Sequence, residues 1–186
     1  MNKERLEAFT DAIIAIAATI MVLELQTPKE ATIQGLGELW SVFLSYIVSF
    51  ALIYIVCYSH HNIFEKADYI STKTFLLNGV WLFFLTLAPF TTAWIGKFPN
   101  DTLPEFIYAL VLLLWSVTFQ IMDIQIRHDN PTAQKDRTSL FQFRLVLYGV
   151  MVAGMIVSFF VLILTLVITG ITTLTMIFPM MKGSKI

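Results

Sequence analysis

The sequence predicts an all-α integral membrane protein with six transmembrane helices. Hydrophobic residues make up 57% of the 186-residue chain, and charged residues make up 13%. A soluble domain carries roughly 25% charged residues, so this composition is typical of a chain that lies in a lipid bilayer. Long uncharged segments recur along the chain, separated by short polar ones. The length allows one domain, residues 1–186.

Charge and cysteine content exclude several classes of protein. The formal net charge is −1, and no basic stripe is present that would neutralise the phosphates of a nucleic acid. Cys57 is the only cysteine, which rules out a disulfide framework and a cysteine metal cluster. Lys3 and Arg5 imitate the start of a secretory signal, but Asp11 interrupts the apolar region and no small-residue cleavage site follows Leu25. We therefore expect the first segment to belong to the mature protein.

Uncharged runs bounded by polar residues define the first four predicted helices. Leu39 to Ser59, for example, is uncharged and long enough to span a bilayer. Pro89 is expected to kink or break the third helix toward its outer end, and Gln26 to Gly37, with Pro28 and two glycines, reads as a loop. The predicted helices cover about residues 5–25, 39–62, 71–96 and 104–127.

The last apolar segment decides the number of helices. Leu145 to Met181 contains 37 residues without a charged residue or a histidine. As one helix it would be roughly 55 Å long, against a hydrocarbon core of about 30 Å. The segment must therefore fold back on itself near Ser158 to Val161, which gives a fifth helix at about 139–158 and a sixth at about 161–181.

The distribution of Lys and Arg supports six spans with both termini in the cytoplasm. We expect the protein to lie in the inner (plasma) membrane of the cell. With this topology ten basic residues lie inside and two lie outside, as the positive-inside rule requires. Five or seven spans would destroy the asymmetry. The inside residues are Lys3, Arg5, Lys66, Lys73, Arg127, Lys135, Arg137, Arg144, Lys182 and Lys185, and the outside residues are Lys29 and Lys97.

The first helix is unusual because only twelve residues, Ala12 to Leu23, separate Asp11 from Glu24. A helix that faces lipid needs about 20 apolar residues, and a carboxylate within hydrocarbon needs a protein or water-lined environment. We therefore expect this helix to lie inside an assembly.

A helical wheel places Ile16, Thr19, Ile20 and Leu23 on one stripe, because at about 100° per residue they fall within roughly 60° of Ile16. Two interpretations remain open. The stripe is ordinary packing or a lipid-facing surface, or several copies surround an axis and form stacked apolar rings that gate by dewetting, with the Thr19 hydroxyls as the only side-chain ion ligands between them.

Asp11 falls about 140° from Ile16 on the same wheel, nearly opposite the stripe. At this depth the second helix ends in His60 and His61, and the third helix carries Asn78. The carboxylate is expected to meet one of the imidazoles or the Asn78 amide. Such a contact would form either a gate or proton sensor, or a buried polar clamp that locks helices one to three together.

Several motifs resemble those of the transmembrane protein 175 potassium channels. The segment Arg5 to Asp11 matches the R-x-x-x-F-[ST]-D pattern of that family's first helix, and Thr10 stands where serine is commoner. The pair His60 and His61, and Asn78 with the later L-x-P-F-x-T segment, resemble its second and third helices. The resemblance covers the whole chain in topology, with specific motifs only in residues 5–92. The proline often found between helices five and six is absent.

The resemblance implies a homotetramer of one six-helix unit per chain, with the first helix lining a central pore that lacks a carbonyl filter. It implies that Ile16 forms the narrowest constriction, that Thr19 forms the hydroxyl ring tied to potassium preference, and that Ile20 and Leu23 form further apolar layers. The residues that resemble the supporting network are Arg5, Phe9, Thr10, Asp11, His60, His61 and Asn78.

These observations predict a potassium-selective leak channel, weakly selective over other monovalent cations, rather than an enzyme. No cofactor and no bound metal are expected; the permeant potassium ion passes near Thr19. The alternative is a secondary transporter, although such folds carry matching helix breaks in two repeats and only Pro89 breaks a helix here. A metalloenzyme that uses His60, His61 and Glu65 would lack an obvious third nitrogen ligand.

Overall fold

The computed structural model describes residues 2–131, 148–149, 152–153, 155–156 and 166–174, and the secondary structure in these parts of the chain is helical. The prediction of an all-α membrane protein is confirmed. The numbered helices are α1 (Lys3–Leu23), α2 (Ile33–Gly37), α3 (Trp40–Glu65), α4 (Thr72–Thr86), α5 (Ala88–Lys97) and α6 (Thr102–Asp129).

Four segments are long and apolar enough to cross a membrane: Lys3–Leu23, Trp40–Glu65, Thr72–Lys97 and Thr102–Asp129. They correspond to the first four predicted helices. The two further predicted helices lie mostly outside the described residues, and the hairpin between them lies wholly outside. The described positions between 148 and 156 and between 166 and 174 are helical.

Helix α1 begins at a polar cap and is tied to the end of α3. The Asn2 side chain accepts a hydrogen bond from the backbone N–H of Glu4 at 3.1 Å, which satisfies one of the unpaired N–H groups of the first turn. Lys3 Nζ donates to the carbonyl oxygens of Glu65 and Ala67 at 3.2 and 2.9 Å. The start of α1 is therefore fixed at the same end of the bundle as the end of α3.

The connection between α1 and α3 differs from the predicted loop over Gln26 to Gly37, because it contains the one-turn helix α2. The Thr32 hydroxyl caps this helix by accepting from Gly35 N–H at 3.0 Å. A Cβ at Gly35 would lie 2.7 Å from the carbonyl oxygen of Glu30. The glycine that suggested a loop is thus required by a tight helix start.

The third span is interrupted at Leu87, as Pro89 predicted. Helix α4 ends at Thr86 and α5 begins at Ala88, with Pro89 in its first turn. Proline has no N–H and cannot continue the hydrogen-bond ladder. Leu87 N–H bonds instead to Phe84 at 3.2 Å, and the ladder resumes when Thr91 N–H bonds to Leu87 at 3.1 Å.

The core of the bundle contains a stack of aromatic rings. The Trp81 ring lies 4.8 Å from the His60 ring and 5.9 Å from the Trp115 ring, centroid to centroid. Both indole N–H groups are buried and have no hydrogen-bond partner among the described residues. The two tryptophans line a cavity of about 60 Å³, which is large enough to hold ordered water.

Helices α3 and α5 cross very closely at Gly96. Ser41 Oγ donates to the Gly96 carbonyl oxygen at 2.7 Å. A Cβ on Gly96 would lie 2.5 Å from Ser45 Oγ and 3.0 Å from Val42 Cα. Small residues at such crossings let helix backbones approach in a membrane, where lipid provides no hydrophobic drive for helix association.

We expect Gly96→Ala to destabilise the protein by about 1–3 kcal/mol, because the added methyl group overpacks this crossing. The matched control is Gly79→Ala, since Gly79 lies within α4 and a Cβ there meets no atom within 4 Å. Alanine favours a helix over glycine by about 0.5–1 kcal/mol, so this control is expected to be neutral or stabilising. Thermal unfolding in detergent measures both, and equal midpoints for the two variants would contradict the prediction.

Candidate functional site

Helix α1 has two faces with different surroundings. One face packs against α3, α4 and α5, and it consists of Leu6, Thr10, Ile14, Ala17 and Met21, all buried. Their spacing of three or four residues is that of one side of a helix. The other face is open to the outside of the chain.

The predicted stripe lies on the open face. The side chains of Ile16, Ile20 and Leu23 are 56%, 42% and 79% exposed, and Thr19 between them is also exposed. Packing against the rest of the described chain therefore does not account for the stripe. Arg5 and Phe9 continue the same exposed face toward the start of the helix.

The Thr19 hydroxyl donates its hydrogen to the carbonyl oxygen of Ile16, at 2.8 Å. A hydroxyl has one hydrogen to donate and two lone pairs that accept. Because the hydrogen is used within the helix, the oxygen presents lone pairs to the exposed side. Thr19 is thus suited to coordinate a cation on that side.

Three buried side chains join α1, α4 and α3 by hydrogen bonds. Asn78 Nδ2 donates to Thr10 Oγ1 at 2.8 Å, and Asn78 Oδ1 lies 2.9 Å from His60 Nε2. A carbonyl oxygen only accepts, so His60 Nε2 carries the hydrogen in this arrangement. All three side chains are at most 1% exposed. The His60 ring also stacks on Phe64 at 4.3 Å. We call Thr10, Asn78 and His60 the polar clamp.

The expected partnership of Asp11 is not found, and this is a correction to the sequence interpretation. The Asn78 amide binds the neighbouring Thr10, and Asp11 has no hydrogen-bond or ion-pair partner among the described residues. Asp11 lies instead in an open groove of about 770 Å³ between α1 and α3, together with His61. Successive helical residues point about 100° apart, so only one of Thr10 and Asp11 can take part in the clamp. On a helical wheel Thr10 falls on the same side as the buried apolar residues of α1, and this signal in the sequence could have identified it.

His60 and His61 point to different surroundings although they are adjacent. His60 is enclosed in the polar clamp, whereas His61 is exposed and lines the groove. In the described part of the chain no group of three His, Cys, Asp or Glu side chains is placed to hold a metal ion. The two histidines therefore do not converge with Glu65 on one point.

The model of the family described as the endosomal/lysosomal potassium channel TMEM175 matches residues 5–89. A potassium channel of Chryseobacterium sp. (strain P1-3) is 32% identical over 165 residues, which cover 86% of this chain and 84% of that protein. This chain belongs to the TMEM175 family. The resemblance identified from the R-x-x-x-F-[ST]-D motif is thereby confirmed, and with it the prediction of an ion channel rather than an enzyme.

A solved TMEM175 structure has the same fold as this chain. It is the crystal structure of a lysosomal potassium-selective channel TMEM175 homolog from Chamaesiphon minutus, with a TM-score of 0.83 and 25% sequence identity. The match covers 95% of this chain and 96% of that one. The mouse endosomal/lysosomal proton channel TMEM175 is 28% identical over 151 residues, and the match covers 72% of this chain but 30% of the mouse protein.

We expect Thr10→Val to destabilise the protein by about 1–3 kcal/mol, since it leaves the buried Asn78 Nδ2 donor without a partner. Thr10→Ser keeps the hydroxyl and is expected to retain most of the stability. Thr86→Val is the control, because the exposed Thr86 hydroxyl bonds only its own helix at Phe83. Thermal unfolding in detergent measures the three variants. A Thr10→Val midpoint equal to that of Thr86→Val would show that the clamp is unimportant.

Proposed function

We propose that this protein is a potassium leak channel that passes potassium, and less readily other monovalent cations, down their gradients. The single observation that carries the proposal is the exposed stripe of Ile16, Thr19, Ile20 and Leu23 on α1 in a member of the TMEM175 family. The names of the relatives from Chryseobacterium and Chamaesiphon minutus, both potassium channels, support the choice of ion.

The length of the uncharged part of α1 supports a central rather than a peripheral position. Ala12 to Leu23 spans about 18 Å at 1.5 Å per residue, which is shorter than the hydrocarbon core of about 30 Å. Asp11 and Glu24 at its two ends favour contact with water. Four copies around an axis would give both ends access to water-filled vestibules, and closed cyclic symmetry is the usual form of such an assembly.

The proposed gate is a stack of apolar rings. With four chains around the axis, Ile16 would form the narrowest ring, and Ile20 and Leu23 would add layers toward the outer end. A narrow apolar constriction excludes water, and ions do not enter without water. A small outward movement of the α1 helices would widen the rings and allow them to hydrate.

The proposed selectivity depends on Thr19 alone among the stripe residues. A ring of hydroxyl oxygens that present lone pairs can replace part of the water around a cation. Potassium releases its water more readily than sodium, so partial dehydration favours potassium. Because four flexible side chains do not form a rigid cage, only weak selectivity is expected, in contrast to filters built from backbone carbonyls.

The proposed orientation places both termini in the cytoplasm of a cell, with the protein in its plasma membrane. Five of the described basic residues support it, because they stand at the helix ends assigned to the inside, against two at the opposite ends. The inside residues are Lys3, Arg5, Lys66, Lys73 and Arg127, and the outside residues are Lys29 and Lys97.

Flux into liposomes that contain the purified protein tests the gate. We expect Ile16→Asn to raise potassium flux about tenfold, because an amide in the constriction stabilises water there. The matched control is Ile121→Asn, since Ile121 is a comparably exposed isoleucine on α6, and its flux should equal that of the wild type. Silence of both the wild type and Ile16→Asn would contradict the channel proposal, and equal flux from Ile16→Asn and Ile121→Asn would show that the stripe is not the gate.

The same assay in potassium, sodium and proton gradients tests the selectivity. We expect Thr19→Ala to conduct but to lose most of the preference for potassium over sodium. Thr86→Ala is a close control, because the exposed Thr86 hydroxyl donates to the carbonyl three residues earlier at 2.7 Å, as Thr19 does at 2.8 Å. The proton gradient is included because the mouse relative is named a proton channel. Unchanged selectivity in Thr19→Ala would remove Thr19 from the mechanism.

A further inference from the structure

Two tryptophans in the interior of the bundle carry hydrogen-bond donors that no described residue satisfies. The side chains of Trp81 on α4 and Trp115 on α6 are 0% and 3% exposed, and neither indole nitrogen has a hydrogen-bond partner in the described part of the chain. An indole nitrogen can only donate. Buried polar groups in native proteins almost always have a partner, either a protein group or an ordered water. Each indole therefore calls for an acceptor beside it.

The cavity that both tryptophans line offers a place for such an acceptor. It lies where α3, α4, α6 and the helical residues 166–174 meet, and its volume is about 60 Å³. One water occupies about 30 Å³ in the liquid, so about two waters fit. None of the described lining residues lies on α1. The cavity is thus separate from the stripe proposed to line the pore.

Two residues with hydroxyl groups that can accept hydrogen bonds line the same cavity. Ser59 on α3 donates its hydroxyl hydrogen to the Ile55 carbonyl oxygen at 3.0 Å, and Thr173 donates its own to the Thr169 carbonyl oxygen at 2.7 Å. Because each hydrogen is used within its own helix, each hydroxyl oxygen has lone pairs left for another donor. The cavity therefore combines two indole donors with two hydroxyl acceptors.

The chemistry of the walls selects a small neutral occupant that both accepts and donates hydrogen bonds. No charged residue is among the described lining residues, so nothing there would compensate the burial of an ion. A hydrocarbon group could not accept from the indoles and would leave both donors unsatisfied. Water has two lone pairs and two hydrogens, and a buried water typically makes about three hydrogen bonds. Water therefore matches both kinds of group in the walls.

We propose that this cavity is a binding site for about two ordered water molecules. The water accepts from the indole N–H groups of Trp81 and Trp115. It donates to the hydroxyl oxygens of Ser59 and Thr173. These four side chains come from four different helical segments, so the bound water joins α3, α4, α6 and residues 166–174 by hydrogen bonds inside the bundle.

The water site adjoins the polar clamp. The Trp81 ring stacks on the His60 ring at 4.8 Å and on the Trp115 ring at 5.9 Å, centroid to centroid. Water bonded to both indole nitrogens restrains the two tryptophan rings, and the stack passes this restraint to the imidazole of the clamp. The site therefore supports the clamp through contacts that do not involve α1.

Crystal structures of the whole chain, without xenon and under xenon pressure, test the site directly. At a resolution that shows ordered water, we expect density within about 3.2 Å of both indole nitrogens, unchanged under xenon. A dry apolar cavity takes up xenon, so xenon density in this cavity would overturn the proposal. Density for a protein acceptor at either indole nitrogen, or a cavity without density, would overturn it equally.

Thr173→Val tests the same site in solution, because valine is close to threonine in shape but cannot accept a hydrogen bond from water. We expect the midpoint of thermal unfolding in detergent to fall by about 2–4 °C. Thr118→Val is the matched control, since the Thr118 hydroxyl also donates to carbonyl oxygens of its own helix, at 2.9 Å, and does not line the cavity. The control should shift less than half as much. Equal shifts in the two variants would overturn the proposed contact between water and Thr173.

Discussion

The arrangement of α1 depends on the buried hydrogen bonds of the polar clamp. Asn78 can bind Thr10 and His60 together only when Thr10 points into the bundle. Rotation of α1 by one residue, about 100°, would bring the carboxylate of Asp11 toward Asn78 and leave Thr10 outside. In a membrane such a change is costly because the separated polar groups find no water. The clamp therefore fixes which residues of α1 face outward.

The packing around the clamp further fixes the orientation of α1 about its own axis. The His60 ring stacks on both Phe64 and Trp81, so a turn of the imidazole toward a displaced partner would break both contacts. The close crossing of α3 and α5 at Gly96 fixes the helices against which α1 rests. When lipid is as apolar as the protein core, apolar contacts alone only weakly determine which side of a helix faces its neighbours. Hydrogen bonds are directional, so they favour one orientation of the helix. The contacts inside the bundle therefore determine which residues of α1 form the exposed stripe.

The same division separates polar groups that are bonded inside one chain from polar groups on its open surface. Thr10 and His60 are fully engaged inside one chain, whereas Thr19, Asp11, His61 and Tyr54 are directed outward. Adjacent residues thus have different surroundings, since the angle of about 100° between successive side chains is enough to place one in the core and the next at the surface. Under the proposed gate, small displacements of α1 would alter the width of the apolar rings while the clamp keeps α1 in register with α3 and α4.

The sequence by itself determined the all-helical membrane fold, because uncharged runs of about 20 residues match a spanning helix, whereas a barrel strand needs only about 10. It also determined the interruption before Pro89, which follows from the missing N–H, and the stripe of α1, which follows from helical periodicity. Only the tertiary structure decided that Asn78 binds Thr10 rather than Asp11, and that Asp11 and His61 share an open groove. Periodicity gives the relative angles of side chains on one helix. The rotation of that helix toward its neighbours depends on contacts between residues far apart in the chain.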